Sequence, residues 1–207
     1  MICTSKEIYN ELLNRYPVLD CCKDEIYISY KLIRECYCSG GKLLACGNGG
    51  SAADADHIVG ELMKGFLLKR LINTPADNGD NEILTHLQGA LPAVSLNAHS
   101  ALLTAFSNDL EFDYSYAQQV YGLGNKGDVL IALSTSGNSA SVVNAVRAAG
   151  AKGIITVGIT GSKESLMSEK CDVCIRLPET ETFKIQELTL PVYHCLCAML
   201  EADFFEA

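Results

Sequence analysis

Three times in this chain a short apolar run stops at a turn of glycines and hydroxyls, and a helix-forming stretch follows: KLLACGNGGS at 42–51, GDVLIALSTSGNS at 127–139 and IITVGITGS at 154–162. Two further runs, PAVSLN at 92–97 and KCDVCIRLP at 170–178, have the length and flanks of strands. Strands that alternate with helices pair in parallel, and a parallel sheet has helices on both faces. The runs are continuously apolar, as strands covered on both sides must be. The expected fold is therefore α/β, three-layered and flavodoxin-like, with a five-stranded parallel sheet. In such sheets ligands bind beyond the carboxyl ends of the strands, so the turns after the apolar runs carry the functional interest.

Between the strands, the helical expectations are specific. Residues 5–39 read as helix with a break near Pro17 and a stop at Gly40-Gly41. Helices are also predicted over Ser51–Gly65, over HSALLTAFSND and YSYAQQVYGLG around Asn108-Asp109, over SASVVNAVRAAGAKG, over KESLMSEK and from about Thr182 to Phe205. The stretch 67–91 contains TPADNGDN and reads as an exposed, turn-rich excursion. No repeat or composition shift divides the chain, so 1–207 is expected to be one domain with an N-terminal helical segment, 1–40.

The formal net charge of −9 argues against a nucleic-acid binder, which needs a basic face for phosphates. It leaves room for a small anion, because clustered N–H donors hold phosphate on an acidic background. No apolar run is long enough to span a bilayer, and the N-terminal residues lack the apolar core of an export signal. The expectation is a cytoplasmic protein that binds neither membrane nor nucleic acid, with its ten cysteines reduced. Cys171 and Cys174 have zinc-knuckle spacing but no second pair, and they sit on alternate faces of a strand, so both read as core.

Two turns suit a phosphate. One is Gly47-Asn48-Gly49-Gly50-Ser51; the other is Ser134-Thr135-Ser136-Gly137-Asn138-Ser139, with four hydroxyls at a helix start. Amide N–H groups and the helix dipole favour an anion there. The plainer reading of Ser139 is a helix cap, but so many hydroxyls after one strand favour a ligand. Neither turn is a P-loop or a dinucleotide fingerprint, so a phosphorylated small molecule fits better than a nucleotide.

Only four histidines exist. His57 and Glu61, four apart on a helix, share a face; imidazole and carboxylate suit zinc, nickel or iron, or the two form a plain helix-surface pair. His194 lies among apolar residues of the last helix, either as a satisfied core histidine or as a ligand. His99 starts a predicted helix near the active edge, and His86 falls in the excursion with no role assigned.

GNGGSAADADHIVGE, SND at 107–109, LSTSGNS and ETFKIQELTLPVYHCLCAMLE together resemble the sugar isomerase (SIS) domain, and within it the phosphoheptose isomerase family. The resemblance covers nearly the whole chain outside 67–91. It implies aldose–ketose isomerisation of a sugar phosphate, sedoheptulose 7-phosphate to D-glycero-D-manno-heptose 7-phosphate, in a homotetramer with active sites at subunit interfaces. It implies a divalent metal, usually zinc, at His57, Glu61, Gln186 and His194, with Glu61 and His194 as the acid–base pair. The sugar-phosphate contacts it implies are Asn48, Gly49, Gly50, Ser51, Asn108, Asp109, Ser134, Thr135, Ser136, Ser139 and Gln186. Some members of the fold instead act as scaffolds on the bacterial replication initiator or as sugar-phosphate sensors; the presence of all four ligand positions favours the enzyme, and a different phosphoketose remains an alternative substrate.

This sequence also departs from the family. Gly65 stands where an Arg is frequent, with Lys64 beside it, and Phe183 stands where some members have Asp. Gln186 and His194 are eight residues apart, about 12 Å on a straight helix. One ion reaches both only if Pro191 bends the helix or different subunits contribute.

Overall fold

The computed structural model describes residues 4–72, 75–77 and 79–205. Cys3 and positions 73, 74 and 78 of the expected excursion lie outside them. The expected fold is found: the strands β1 (Leu43–Gly47), β2 (Ala93–Ser95), β3 (Val129–Leu133), β4 (Ile155–Thr160) and β5 (Val173–Arg176) form one sheet in the order β2-β1-β3-β4-β5. Every pairing is parallel, with Leu43 opposite both Ala93 and Val129. Successive strand side chains point to opposite faces, and the burial divides accordingly. Leu43, Ala45, Val129, Ile131, Val157, Ile159 and Ile175 belong to one core, and Leu44, Cys46, Leu130 and Ala132 to the other.

The first core lies under α1 (Ser5–Arg15), α2 (Lys23–Cys38), α3 (Gly50–Met63) and α9 (Thr182–Phe204); a 3-10 turn at Pro17–Cys22 makes the predicted break. A capping box between Thr4 and Glu7 starts α1. After the four-residue α4 (Asn81–Leu84) and the exposed α5 (Ser100–Asp109), helices α6 (Ser115–Leu123), α7 (Ala140–Ala151) and α8 (Leu166–Lys170) cover the second face. No helix is long and apolar enough to cross a membrane among the described residues.

The chain enters the sheet at β1, steps to the edge strand β2, and returns past β1 to β3. The helices after β1 and β3 therefore leave on opposite faces, and a crevice opens between their first turns. Both phosphate-suited turns border it.

The excursion is exposed over most of its described residues, but Arg70 is fully buried and has φ +46°. Its Nε meets Glu201 Oε1 at 2.6 Å, while Nη1 and Nη2 donate to the carbonyls of Leu62 and Glu61. Glu201 also accepts the amides of Phe66, Leu67 and Leu68. One buried ion pair thus caps the end of α3 and ties the following segment to α9. The reading of 67–91 as wholly external is corrected at this residue. Cys171 and Cys174 flank Gly158, whose missing side chain leaves room for both thiols; both are half-buried and not the core groups the sequence suggested, and burial pushes them up to about 12 and about 11.

Candidate active site along helix α3

At the start of α3, Gly49 has φ +58°, which only glycine adopts cheaply, and no side chain caps the helix. The amides of Ser51, Ala52 and Ala53 turn back onto the carbonyls of Asn48 and Gly49, so the helix dipole and the glycine turn itself are what this start offers an anion. Across the crevice, Ser139 occupies the cap position of α7, yet its hydroxyl makes no cap bond. It instead accepts from Asn48 Nδ2 at 2.8 Å, and the same amide reaches Ser141 at 2.9 Å. Asn48 Oδ1 accepts from Tyr116, and Asn97 donates to the Gly47 carbonyl. The two turns are therefore one bonded unit, with two uncapped helix starts facing the same crevice.

The hydroxyl loop is braced from outside. Gly137 has φ +64°, and a side chain there would strike Ser165 Oγ at 2.1 Å. The Gly137 carbonyl accepts from Met167 and the Thr135 carbonyl from Gly161. Ser134 Oγ and Ser136 Oγ lie 3.5 Å apart. Ser51 is buried inside the first turn of α3. Asn108 and Asp109 bond each other at the exposed end of α5.

The other end of α3 is charged. His57 Nε2 stands 3.0 Å from Glu61 Oε1, and Lys64 Nζ 2.9 Å from Glu61 Oε2. Lys64 is thus the cation on Glu61, through a single ammonium contact. Position 65 cannot supply one, because a side chain there would meet the Leu68 carbonyl at 2.2 Å. Glu61 is buried, which raises its carboxyl, but bonds and charge from Lys64 and then His57 outweigh that and hold it below the ordinary range. The His194 ring lies 5.0 Å from that of His57, at right angles. His194 Nε2 is buried without a partner, and burial, reinforced by His57, lowers its affinity for a proton.

His57 and Glu61 have the donor chemistry that zinc takes. Two donors on one zinc, each at about 2.0–2.2 Å, stand roughly 3.0–3.5 Å apart, which spans the 3.0 Å between His57 and Glu61, and the ring of His194, with its unpartnered nitrogen, is 5.0 Å from that of His57. Among the described residues, no three His, Cys, Asp or Glu side chains yet converge as closely as a bound ion requires. Gln186 is elsewhere. Its amide packs where a side chain on Gly50 would lie, 2.5 Å from Nε2, seven residues or about 10 Å up α3 from His57. Helix α9 runs unbroken through Pro191, so the proline does not fold Gln186 back to His194. Within one chain Gln186 joins the substrate-suited end and not the other three donors. Phe183 is exposed, with Lys184 over its ring.

The SIS domain family matches residues 85–161. The phosphoheptose isomerase of Rhodospirillum rubrum is 43% identical over 163 residues, 79% of this chain and 77% of the relative. That of Roseiflexus sp. is 41% identical over 83% of this chain and 78% of the relative. The chain belongs to the phosphoheptose isomerase family. It is a sugar-phosphate isomerase of the SIS fold, as the motifs implied. Among solved structures, the phosphoheptose isomerase of Neisseria gonorrhoeae superposes with a TM-score of 0.72 at 31% identity, covering 95% of this chain and 91% of that one. That of Francisella tularensis gives 0.77 at 28%, covering 90% of each.

Several residues of this site escaped the sequence reading: Tyr193, which meets His57, and Asp54, which meets Tyr193; Arg70, which holds the backbone of Glu61, and its partner Glu201; and Asn97 and Tyr116, which hold the glycine turn. All act across long sequence separations, and a periodicity of 2.0 or 3.6 residues carries no such signal.

Proposed function

We propose that the chain interconverts sedoheptulose 7-phosphate and D-glycero-D-manno-heptose 7-phosphate by proton transfer between C1 and C2. The observation that carries this reading is the pairing, on one helix, of a neutral anion cradle with an acid–base cluster one to two turns beyond the cradle's reach. The dipole at the start of α3, the amides at the start of α7 and the hydroxyls of Ser134, Thr135, Ser136 and Ser139 hold the phosphate. Asn48, Gly49, Gly50 and Gln186 line the path between, Ser51 supports the turn from inside, and a contact from Asn108 and Asp109 on α5 belongs to the same reading. Binding energy from the remote phosphate positions the reacting carbons.

Glu61 is ionised at neutral pH and takes the proton from the carbon beside the carbonyl. His194 gives a proton to the carbonyl oxygen, so an enediol forms. Returning one proton to the other carbon and removing one from the other oxygen yields the isomer. Such acid–base assistance contributes roughly 10²–10⁴-fold. His57, Glu61 and His194 would hold a divalent ion such as zinc, which supplies a Lewis acid for the carbonyl and hydroxyl oxygens.

The same reading makes the protein a cytoplasmic homotetramer with sites at subunit interfaces. A groove of about 380 Å³ supports it: it opens beside His194 and is lined by Leu12, Phe66, Leu190 and Pro191, apolar surface suited to a second copy. A panel of phosphoketoses of five to seven carbons, assayed with and without chelator, tests the assignment. Turnover confined to the seven-carbon substrate and abolished by chelator is expected. Turnover of a shorter ketose alone would reassign the substrate, and turnover of none would remove the reading.

A further inference from the structure

Away from the crevice, a row of small and sulfur-bearing residues crosses the sheet. Cys46 of β1 pairs with Ala132 of β3, Ala132 with Gly158 of β4, and Gly158 with Cys174 of β5. Cys46 and Ala132 put this row on the face that α7 and α8 cover. Helix α8 brings Met167 and ends at Cys171. Three of these side chains meet at one point. A side chain on Gly158 would stand 3.0 Å from Cys171 Sγ, 3.1 Å from Cys174 Sγ and 3.3 Å from Met167 Cε. Both thiols are so close to that point that no more than about 6 Å separates them. Two thiolates on opposite sides of one ion, each bonded at about 2.3 Å, stand about 4.6 Å apart. Met167 is fully buried, so packing holds its thioether, one bond behind Cε, beside the pair.

The thiols are not sealed in. Both line an open hollow of about 470 Å³, together with Glu25, Glu169 and Arg176. We propose that Cys171, Cys174 and Met167 form a binding site for a soft monovalent cation of the copper(I) type. Thiolate and thioether sulfur are donors that select copper(I). Zinc does not suit the place. Its structural sites take four donors, and among the described residues no three His, Cys, Asp or Glu side chains converge on an ion. Burial keeps both thiols protonated at neutral pH. Binding therefore forms two metal–thiolate bonds, breaks two S–H bonds and releases two protons to solvent. The centre then carries one negative charge, which Arg176 offsets; its charge already favours the Cys174 thiolate. The site is independent of the acid–base cluster on α3 and of the functional reading above. Its link to the hydroxyl loop is through backbone, where the Met167 amide donates to the Gly137 carbonyl.

The test uses the full chain carrying Cys3→Ser, Cys21→Ser and Cys38→Ser, which silence thiols outside the site. Copper(I), kept reduced by ascorbate under nitrogen, is titrated in competition with bicinchoninate, a chromophoric chelator. One equivalent should be withheld from the chelator, and X-ray absorption at the copper edge should show sulfur as its only near neighbours. Cys171→Ser and Cys174→Ser should each abolish that equivalent. Gly158→Ala keeps all three sulfurs but places a methyl where they meet, and should abolish it too. Met167→Leu, close in volume and with the amide retained, should weaken binding without abolishing it. Circular dichroism checks the fold of each variant, and the folded ones decide. The inference is overturned if no equivalent is withheld, if the equivalent survives the cysteine variants or Gly158→Ala, if Met167→Leu binds as tightly as the parent, or if nitrogen neighbours appear at the copper.

Discussion

The two ends of helix α3 are built on opposite principles. At its start every group named is neutral: amides, hydroxyls and the side chain of Asn48, which ties the two turns together. From its middle to its C-cap the helix carries His57, Glu61 and Lys64, with both outer groups in contact with the glutamate, closed off by a buried arginine and a second glutamate. Oriented dipoles can hold a phosphate without counter-charge, so the binding end needs no titratable group. The reacting end needs groups that gain and lose protons, and those must be held by others. The binding end is therefore assembled mostly by backbone geometry, and the reacting end by side-chain bonds across the fold.

The sharpest way to break this contrast is to remove one function and leave the other. Glu61→Gln keeps the shape and the hydrogen-bonding oxygen but cannot accept the proton. Turnover should fall roughly 10²–10⁴-fold, while binding of the phosphoketose, measured by calorimetry, changes little. Turnover within a few-fold of wild type would take Glu61 out of the base role. Next in size is Arg70→Ala, which strands Glu201 in the interior and uncaps the carbonyls of Glu61 and Leu62. Breaking such a buried pair costs about 3–5 kcal/mol, visible as a lower denaturant midpoint. Arg70→Lys should not restore it, since a single ammonium cannot fork to Glu201 and two carbonyls. If stability is unchanged, the reacting end does not depend on its buried brace.

These two variants also mark what the sequence could and could not disclose. The sheet was legible because each strand is a short apolar run closed by a turn, and the run and turn lie side by side in the chain. The Glu61–His57 pair was legible for the same reason: helix spacing alone puts them on one face. Arg70 was not, because it sits in LLKRLINTPADNGDN, whose composition reads as solvent-exposed, and its partner is 131 residues away. Tyr193 read as one apolar neighbour of His194, and its hydroxyl found His57 only once α9 lay against α3. The rise of a helix did foretell that Gln186 and His194 stand apart. Which end of α3 each would join needed the parallel packing of the two helices.

At the binding end the effects should be smaller and of another kind. Asn48→Ala removes the bonds to Ser139 and Ser141, each worth about 0.5–1.5 kcal/mol net. KM for the phosphoketose and the inhibition constant of inorganic phosphate should rise together by roughly tenfold or less, with kcat near wild type. A fall in kcat at constant KM would mean that the turn works on the reacting carbons, and the division between the two ends would not hold.

The smallest effect tests the electrostatics of the reacting end. Lys64 is the leading cause holding the Glu61 carboxyl down against its burial, but its side chain is 59% exposed, so salt screens it. In Lys64→Met the folded carboxyl binds its proton more readily, and the acid limb of kcat/KM, which reports the free enzyme, should move to higher pH. High salt should move the wild-type limb the same way and leave the variant's in place. The same substitution removes stability that the depressed carboxyl contributes. That contribution is present above the ordinary carboxylate range and lost as pH falls through it, so wild type and variant should converge in acid. An acid limb that ignores both Lys64→Met and salt would show that the Glu61 carboxyl is not the group whose protonation limits the reaction at low pH, and would take the charge of Lys64 out of the account of the reacting end.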